Sequence, residues 1–275
     1  LAVTLFLFIF IISCSSENTY KNKMKPDVEY LSSDQLEGRS TGSKGANLAG
    51  KYIKNRFKEL NIKPMGEDGY FQKFSFKPKS HPHEKITVSD SIIENSITAN
   101  NVIGFINNNS DNTIVIGAHY DHLGYGGEGS LYRDSDIKIH NGADDNASGV
   151  SLMLDLAAKL KDNINNNYLF IAFSGEELGL LGSNFFVKNS TINIKSINYM
   201  INMDMVGRLN TDNTLAVYGL GTSPIFKQTI KSNNQNFKII ENESGIGPSD
   251  HTSFYLSDIP VLHFFTGQHS DYHKP

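Results

Sequence analysis

The stretch TIVIGAHYD, residues 113–121, decides how this chain folds. Its first six residues are β-branched or small, and the run ends abruptly in His119, Tyr120 and Asp121. A short run of this kind, without alternation, reads as a strand buried on both faces, as in parallel sheets. A long polar loop follows, then ASGVSLMLDLAAKL, residues 147–160, with apolar positions at helical spacing. The pairing recurs downstream. YLFIAF (168–173) precedes ELGLLGSNFFVKN (177–189), which reads as helix. NYMINM (198–203), TLAVYG (214–219), a helix over about 223–232, FKII (237–240) and IPVLHFF (259–265) continue the series. This rhythm predicts an α/β fold: a single domain with a central mixed, largely parallel β-sheet flanked by helices on both faces.

Upstream, KGANLAGKYIKNRFKEL (44–60) reads as an amphipathic helix, with Leu48, Tyr52, Ile53, Phe57 and Leu60 on one side. FQKFSF (71–76), KITVS (85–89) and NVIGFI (101–106) read as strands. Asparagine-rich patches between elements read as surface loops, and there is no internal repeat. The 275 residues, 39% hydrophobic and 20% charged, suffice for one large globular domain with a real core. A net charge of −4 gives no electrostatic reason to expect a nucleic-acid partner.

The chain opens LAVTLFLFIFIISCSS, apolar from Leu1 to Ile12 except at Thr4. That is shorter than the roughly 20 residues of a membrane-spanning helix but fits the apolar region of a signal peptide. Cys14 is the only cysteine, so the chain holds no internal disulfide. IISC resembles the lipobox of bacterial lipoproteins, where the cysteine is lipidated and becomes the first residue. The expected organisation is a signal peptide over 1–13, a tether over 14–27 and a domain over 28–275. The protein is then exported, periplasmic or at the cell surface, and held to a bacterial membrane through the lipid on Cys14.

The strand ends carry the chemistry. His119 and Asp121 close the first strand, Glu176 and Glu177 follow YLFIAFSG, and Asp204 follows NYMINM. QHSDYH (268–273) follows IPVLHFFTG, and NGADDN (141–146) leads into the helix with Asp144 and Asp145. Ligands of open α/β sheets sit at the carboxyl ends of the strands, so these groups are expected at one edge. Gathering so many carboxylates requires a counter-charge, and the nearest cation is Arg208, four residues past Asp204. Metal is the natural solution. Imidazole with carboxylate suits zinc, and the number of donors suits two ions about 3.5–4 Å apart that share one carboxylate. One aspartate of the pair would bridge while its neighbour supports the turn. Asp121, on the same strand face as His119, would accept the imidazole's second N–H. One of Glu176 and Glu177 would bind metal and the other would face the attacking water as general base. Either His269 or His273 could supply the last imidazole. Taken singly, the aspartates read equally well as a helix cap and the glutamates as a first helical turn. Their joint placement is what points to metal.

HYD, NGADDNASG, SGEE, INMDMVGR and DYH, in that order, are similar to the motifs of the M28 family of co-catalytic zinc aminopeptidases. YLSSDQLEGRSTGSKG (30–45) resembles the family's approach to its first helix, and PSDHTSF (248–254) a loop beside its substrate pocket. The resemblance runs from about Val28 to the end of the chain. It implies two Zn2+, with His119 and Asp204 on one, Glu177 and His273 on the other, and Asp144 bridging them. It implies a cis peptide between Asp144 and Asp145. Glu176 would be the general base toward a water activated by the zinc pair. Tyr272 would stabilise the oxyanion, and His251 would contact the substrate, a peptide cleaved at its first bond. Two departures stand out. Residues 74–104 are too few for the protease-associated domain that many relatives insert, and the family continues where this chain stops, two residues after His273. A truncated C-terminus is therefore expected. Glutaminyl cyclases share the fold with one zinc, and a lipid-anchored metal- or peptide-binding protein without turnover is a third reading. The full ligand set with Glu176 favours the hydrolase.

Overall fold

The computed structural model describes residues 21–79, 84, 86–91 and 94–275. The apolar leader and Cys14 with its expected lipid lie outside the described residues. Where part of a tether was expected, the chain is already helical: α1 spans Lys21–Leu31. Asp27 is buried there and accepts from Arg56 Nε at 2.7 Å and Tyr52 Oη at 2.6 Å. Ser151 Oγ donates to the Met24 carbonyl at 3.0 Å. A buried carboxylate is tolerable only when paired, and this pairing fastens residues 21–27 to the domain.

Helix α2 (Lys44–Glu59) begins at Ser43, whose hydroxyl accepts from the Ala46 N–H at 3.1 Å, an N-cap. The first strands are β1 (Lys63–Pro64), β2 (Phe71–Phe76), β3 (Val88–Ser89), β4 (Ile97–Ile106) and β5 (Thr113–His119). Then come α3 (Gly149–Leu160), β6 (Asn167–Phe173), α4 (Leu181–Lys188), β7 (Ile197–Met203) and β8 (Thr214–Tyr218). The series closes with α5 (Phe226–Asn233), β9 (Lys238–Glu241), α6 (His251–Tyr255) and β10 (Val261–Phe265). The helix read at 177–189 starts only at Leu181, because Glu176 and Glu177 sit in a turn closed by the Leu180 N–H on the Glu176 carbonyl at 2.9 Å.

The strands form one sheet in the order β3-β2-β4-β6-β5-β7-β10-β8-β9, with β1 on β4. Its centre, β6-β5-β7-β10, is parallel, and antiparallel strands flank it on both sides. Successive side chains of a strand point to opposite faces. Ile114, Ile116 and Phe170 accordingly pack with Leu31, Ile53, Phe57 and Leu154 of α1, α2 and α3. Val115, Leu169 and Ile171 pack on the other face with Phe186 and Phe254 of α4 and α6. The mixed sheet with helices on both faces is the expected fold.

Candidate metal and catalytic site

Strand register levels the chemistry. β5 and β6 pair with His119 opposite Phe173, so the turn bearing Glu176 starts one residue beyond that level. β5 and β7 pair with Gly117 opposite Asn202, which carries Asp204 to the height of His119. His119 Nε2 then lies 3.3 Å from Asp204 Oδ1. Four parallel strands deliver these groups to the carboxyl edge, where ligands of open sheets bind.

The aspartate pair resolves differently from the resemblance. Asp145, not Asp144, faces the imidazoles: Asp145 Oδ1 is 3.2 Å from His119 Nε2, and Oδ2 is 3.2 Å from His273 Nε2. Asp144 points outward, where Oδ1 accepts from the Gly207 N–H at 2.8 Å and Oδ2 lies 3.2 Å from the His269 ring. The cis peptide is likewise one residue on, between Asp145 and Asn146. The physical reason lies in Asn146, which is fully buried. Its amide donates to the Met203 carbonyl at 2.9 Å, and its Oδ1 accepts from the Gly149 and Met205 N–H groups at 3.0 and 3.2 Å. With Asn146 pinned and Asp145 extended (φ −105, ψ 94), neighbouring side chains diverge and only one aspartate can face inward. Gly142 makes the approach in the left-handed region at φ 59, where a Cβ would meet the Asp145 carbonyl at 2.3 Å.

The donors fall into two sets, His119 with Glu176 and Asp204, and His122 with Asp145 and Glu177. His273 adjoins the second, with Nε2 3.5 Å from Glu177 Oε2. His122, a residue the strand-end reading does not single out, joins this set with its Nδ1 2.7 Å from Glu177 Oε1. Its only sequence signal is the three-residue step from His119. Tetrahedral ligands at 2.0–2.1 Å from a zinc stand about 3.3 Å apart. The separations of 3.2, 3.3, 3.2 and 3.5 Å among His119, Asp145, Asp204, His273 and Glu177 match that edge. Both imidazoles also engage their far nitrogen elsewhere, leaving Nε2 free to coordinate: His119 Nδ1 meets the Asp121 carbonyl at 3.1 Å and His273 Nδ1 the Gly129 carbonyl at 2.8 Å. These residues fit a zinc pair.

Asp121 departs from expectation in one respect. Its backbone carbonyl takes the hydrogen bond to His119 Nδ1 at 3.1 Å, while its carboxylate Oδ1 stands 3.8 Å from the same nitrogen. The carboxylate also accepts from Thr41 Oγ1 at 2.8 Å and from the Glu176 N–H at 3.2 Å, tying the turn that bears Glu176 to the first strand. The electrostatics are those of crowded acids. Burial pushes Glu176 well above the usual carboxyl range, with Asp204, Asp250 and Glu177 adding to it after His119 opposes. Burial also opposes charge on Asp145, but hydrogen bonds with His119 and His273 outweigh it and hold the carboxyl far below its ordinary value. His119 is pushed well up: burial disfavours its charge, and Asp204 and Glu176 more than compensate.

A cavity of about 630 Å³ opens beside Glu176 and Asp204, walled by Leu180, Met205, Tyr218, Phe265, Gln268 and Tyr272. Tyr272 stacks on His273 at 3.8 Å, and burial, with Asp145 and Glu177, pushes its hydroxyl up so that it stays a donor. His251 is not on this wall. It is fully buried, stacked on His263 at 4.4 Å, and both its ring nitrogens lack partners; His263 is the ring that lines the cavity. The substrate contact expected at His251 therefore does not fit the cavity, which His263 lines in its place. Burial pushes the His251 ring from 6.5 down to about 2, so the unfolded chain binds a proton below 6.5 that the folded chain refuses. Its contribution to stability is full above pH 6.5 and falls as pH is lowered. Asp250, pushed by burial from 3.8 up to about 7, works in the opposite sense, so the His251 part must be read by difference. In urea titrations of wild type and His251→Phe between pH 6.5 and 4, the variant should lose about 1.4 kcal/mol less per pH unit. Parallel pH profiles would show that the ring is not buried neutral.

A profile of the family described as Peptidase family M28 matches residues 101–275. A probable leucine aminopeptidase of Trichophyton verrucosum is 32% identical over 177 residues, 58% of this chain and 44% of its own length. Aminopeptidase YwaD of Bacillus subtilis is 30% identical over 184 residues, 62% of this chain and 36% of its own. The chain thus spans less than half the length of these curated relatives. Among solved structures, a Zn-dependent exopeptidase from Parabacteroides distasonis aligns at TM-score 0.71 and 18% identity, covering 94% of this chain and 88% of that one. BSAP, a zinc aminopeptidase from Bacillus subtilis, aligns at TM-score 0.66 and 16% identity, covering 92% and 88%. These two share the fold. The matched region contains the strand ends that carry His119, Glu176, Glu177 and Asp204, and the chain belongs to peptidase family M28.

Proposed function

We propose that this protein is a metal-dependent aminopeptidase that hydrolyses the first peptide bond of peptides with two Zn2+. The observation that carries the reading is Asp145, placed between His119 and His273 at 3.2 Å from each, with Glu176 beside it at the cavity. His119 and Asp204 would hold one ion, Glu177 and His273 the other, and Asp145 would bridge. Such a pair supplies Lewis-acid charge and lowers the pKa of water. Glu176 takes the proton of the attacking water and passes it to the leaving amine. The Tyr272 hydroxyl donates to the carbonyl oxygen as it gains charge. Carboxylates at the cavity floor favour a substrate with a free α-ammonium group. The apolar wall of Leu180, Met205, Tyr218 and Phe265 suits a large apolar first residue, in keeping with the relatives named leucine aminopeptidase. Export and a lipid anchor on Cys14 belong to the same proposal, supported by the leader sequence.

The test is metal analysis with turnover of aminoacyl amides. Two zinc ions per chain, loss of activity with chelator and its return with zinc are expected, with leucyl substrates ahead of aspartyl ones. N-terminally acetylated peptides should be inert. Cleavage of acetylated peptides would end the exopeptidase assignment, and conversion of N-terminal glutamine to pyroglutamate without hydrolysis would make the chain a cyclase.

A further inference from the structure

One buried cation lies outside every role given so far. Arg39 is 1% exposed. Its guanidinium donates to backbone carbonyls of three separate segments. Nε reaches Tyr120 at 2.8 Å, Nη1 reaches Asn141 at 2.8 Å and also Leu31, and Nη2 reaches Gly142 at 2.9 Å. Tyr120 stands between His119 and Asp121. Asn141 and Gly142 lead directly into Asp145. Leu31 ends α1.

The backbone around Arg39 is shaped for this reach. Glu37, Gly38 and Arg39 all take positive φ, 50, 66 and 52. A Cβ on Gly38 would meet the Gly124 and His140 carbonyls at 2.5 Å. The Arg39 carbonyl accepts from the His122 N–H at 3.2 Å, and the Gly38 carbonyl from the Gly124 N–H at 3.0 Å. Two residues on, Thr41 holds the Asp121 carboxylate. Burial pulls the guanidinium down to about 10, with Asp145, Asp121 and Glu177 pulling the other way, so it is still charged at neutral pH. A buried cation whose bonds all run to carbonyls organises backbone while its charge offsets nearby acids.

We propose that Arg39 is the positioning residue of the metal centre: it fastens the strand end bearing His119 and His122 to the loop bearing Asp145, and so sets the spacing of the ligands before an ion arrives. Lysine cannot replace it, because one ammonium does not span carbonyls on three segments. The inference rests on the metal reading of the site. Zinc binding by the unaltered chain is the control for that reading, and its absence there would sink both; zinc binding there with unaltered affinity in the variants would sink only this one.

The test uses chelator-competition zinc titrations of the full chain. Arg39→Lys and Arg39→Ala should each weaken zinc binding about 10–100-fold, the range for groups that orient ligands. Millimolar guanidinium should restore part of the loss in Arg39→Ala, and methylammonium should not. Variants that unfold at lower urea but bind zinc within about twofold of wild type would overturn the proposal. Hydrogen exchange of the wild type decides it even where the variants do not fold. In the zinc-free chain the His122, Gly124 and Ala147 amides, bonded to Arg39, Gly38 and Gly142, should already exchange more than about a hundredfold slower than an open chain. Exchange near the open-chain rate until zinc is added would mean that the ion, not Arg39, orders these segments.

Discussion

Asp145→Ala is expected to leave at most one zinc per chain and to lower kcat/KM by about a thousandfold or more, since in the proposed centre its carboxylate would serve both ions and metal charge contributes several kcal/mol to the transition state. The comparison that gives this force is Asp144→Asn. Asp144 touches the Gly207 N–H and the His269 ring, and an asparagine Oδ1 still accepts from either. Its zinc content should therefore match wild type, with kcat changed by less than about tenfold. Metal analysis and steady-state kinetics on both variants read this directly. The reverse pattern, with zinc lost at Asp144 and kept at Asp145, would return the bridging role to Asp144 and break the site as described.

Glu176→Gln should separate chemistry from metal binding. The amide keeps the volume of the buried side chain and its contact with the cavity but cannot take up a proton. A general base is worth about 10²–10⁴ in rate, so kcat should fall by that factor while KM and the zinc count hold. Glu176 is also one of three donors grouped with His119 and Asp204. If its carboxylate were a ligand, the variant would lose an ion as well as turnover. Zinc retained with activity lost supports the general base, zinc lost makes Glu176 a ligand, and full turnover removes it from the mechanism.

Much of this was legible in the linear chain, and the reason is physical. A strand buried on both faces must be apolar along its length, so TIVIGA and YLFIAF announce a covered parallel sheet. The polar residues that end such strands must then gather at one edge. That logic reached His119, Glu176, Glu177, Asp204 and the QHSDYH segment, and the fold around them; the choice of His273 over His269 came from the family resemblance. The ambiguity began where neighbouring residues share a chemistry. Asp144 and Asp145 are identical side chains one residue apart, and which one faces inward is set by Asn146 bonding to Met203, Gly149 and Met205 across the fold. His251 had the right type and the right loop, but stacking on His263 seals it behind the cavity wall. Arg39 and Thr41 act on residues about 80 to 100 positions away, through carbonyls and a carboxylate that no local pattern marks. The sequence by itself determined the class of fold, the metal chemistry and the strand ends that supply it, because burial and periodicity are local constraints. Only the tertiary structure decided which aspartate, which histidine and which buried cation complete the centre, because those choices depend on long-range hydrogen bonds that turn one side chain of a pair inward and the other out.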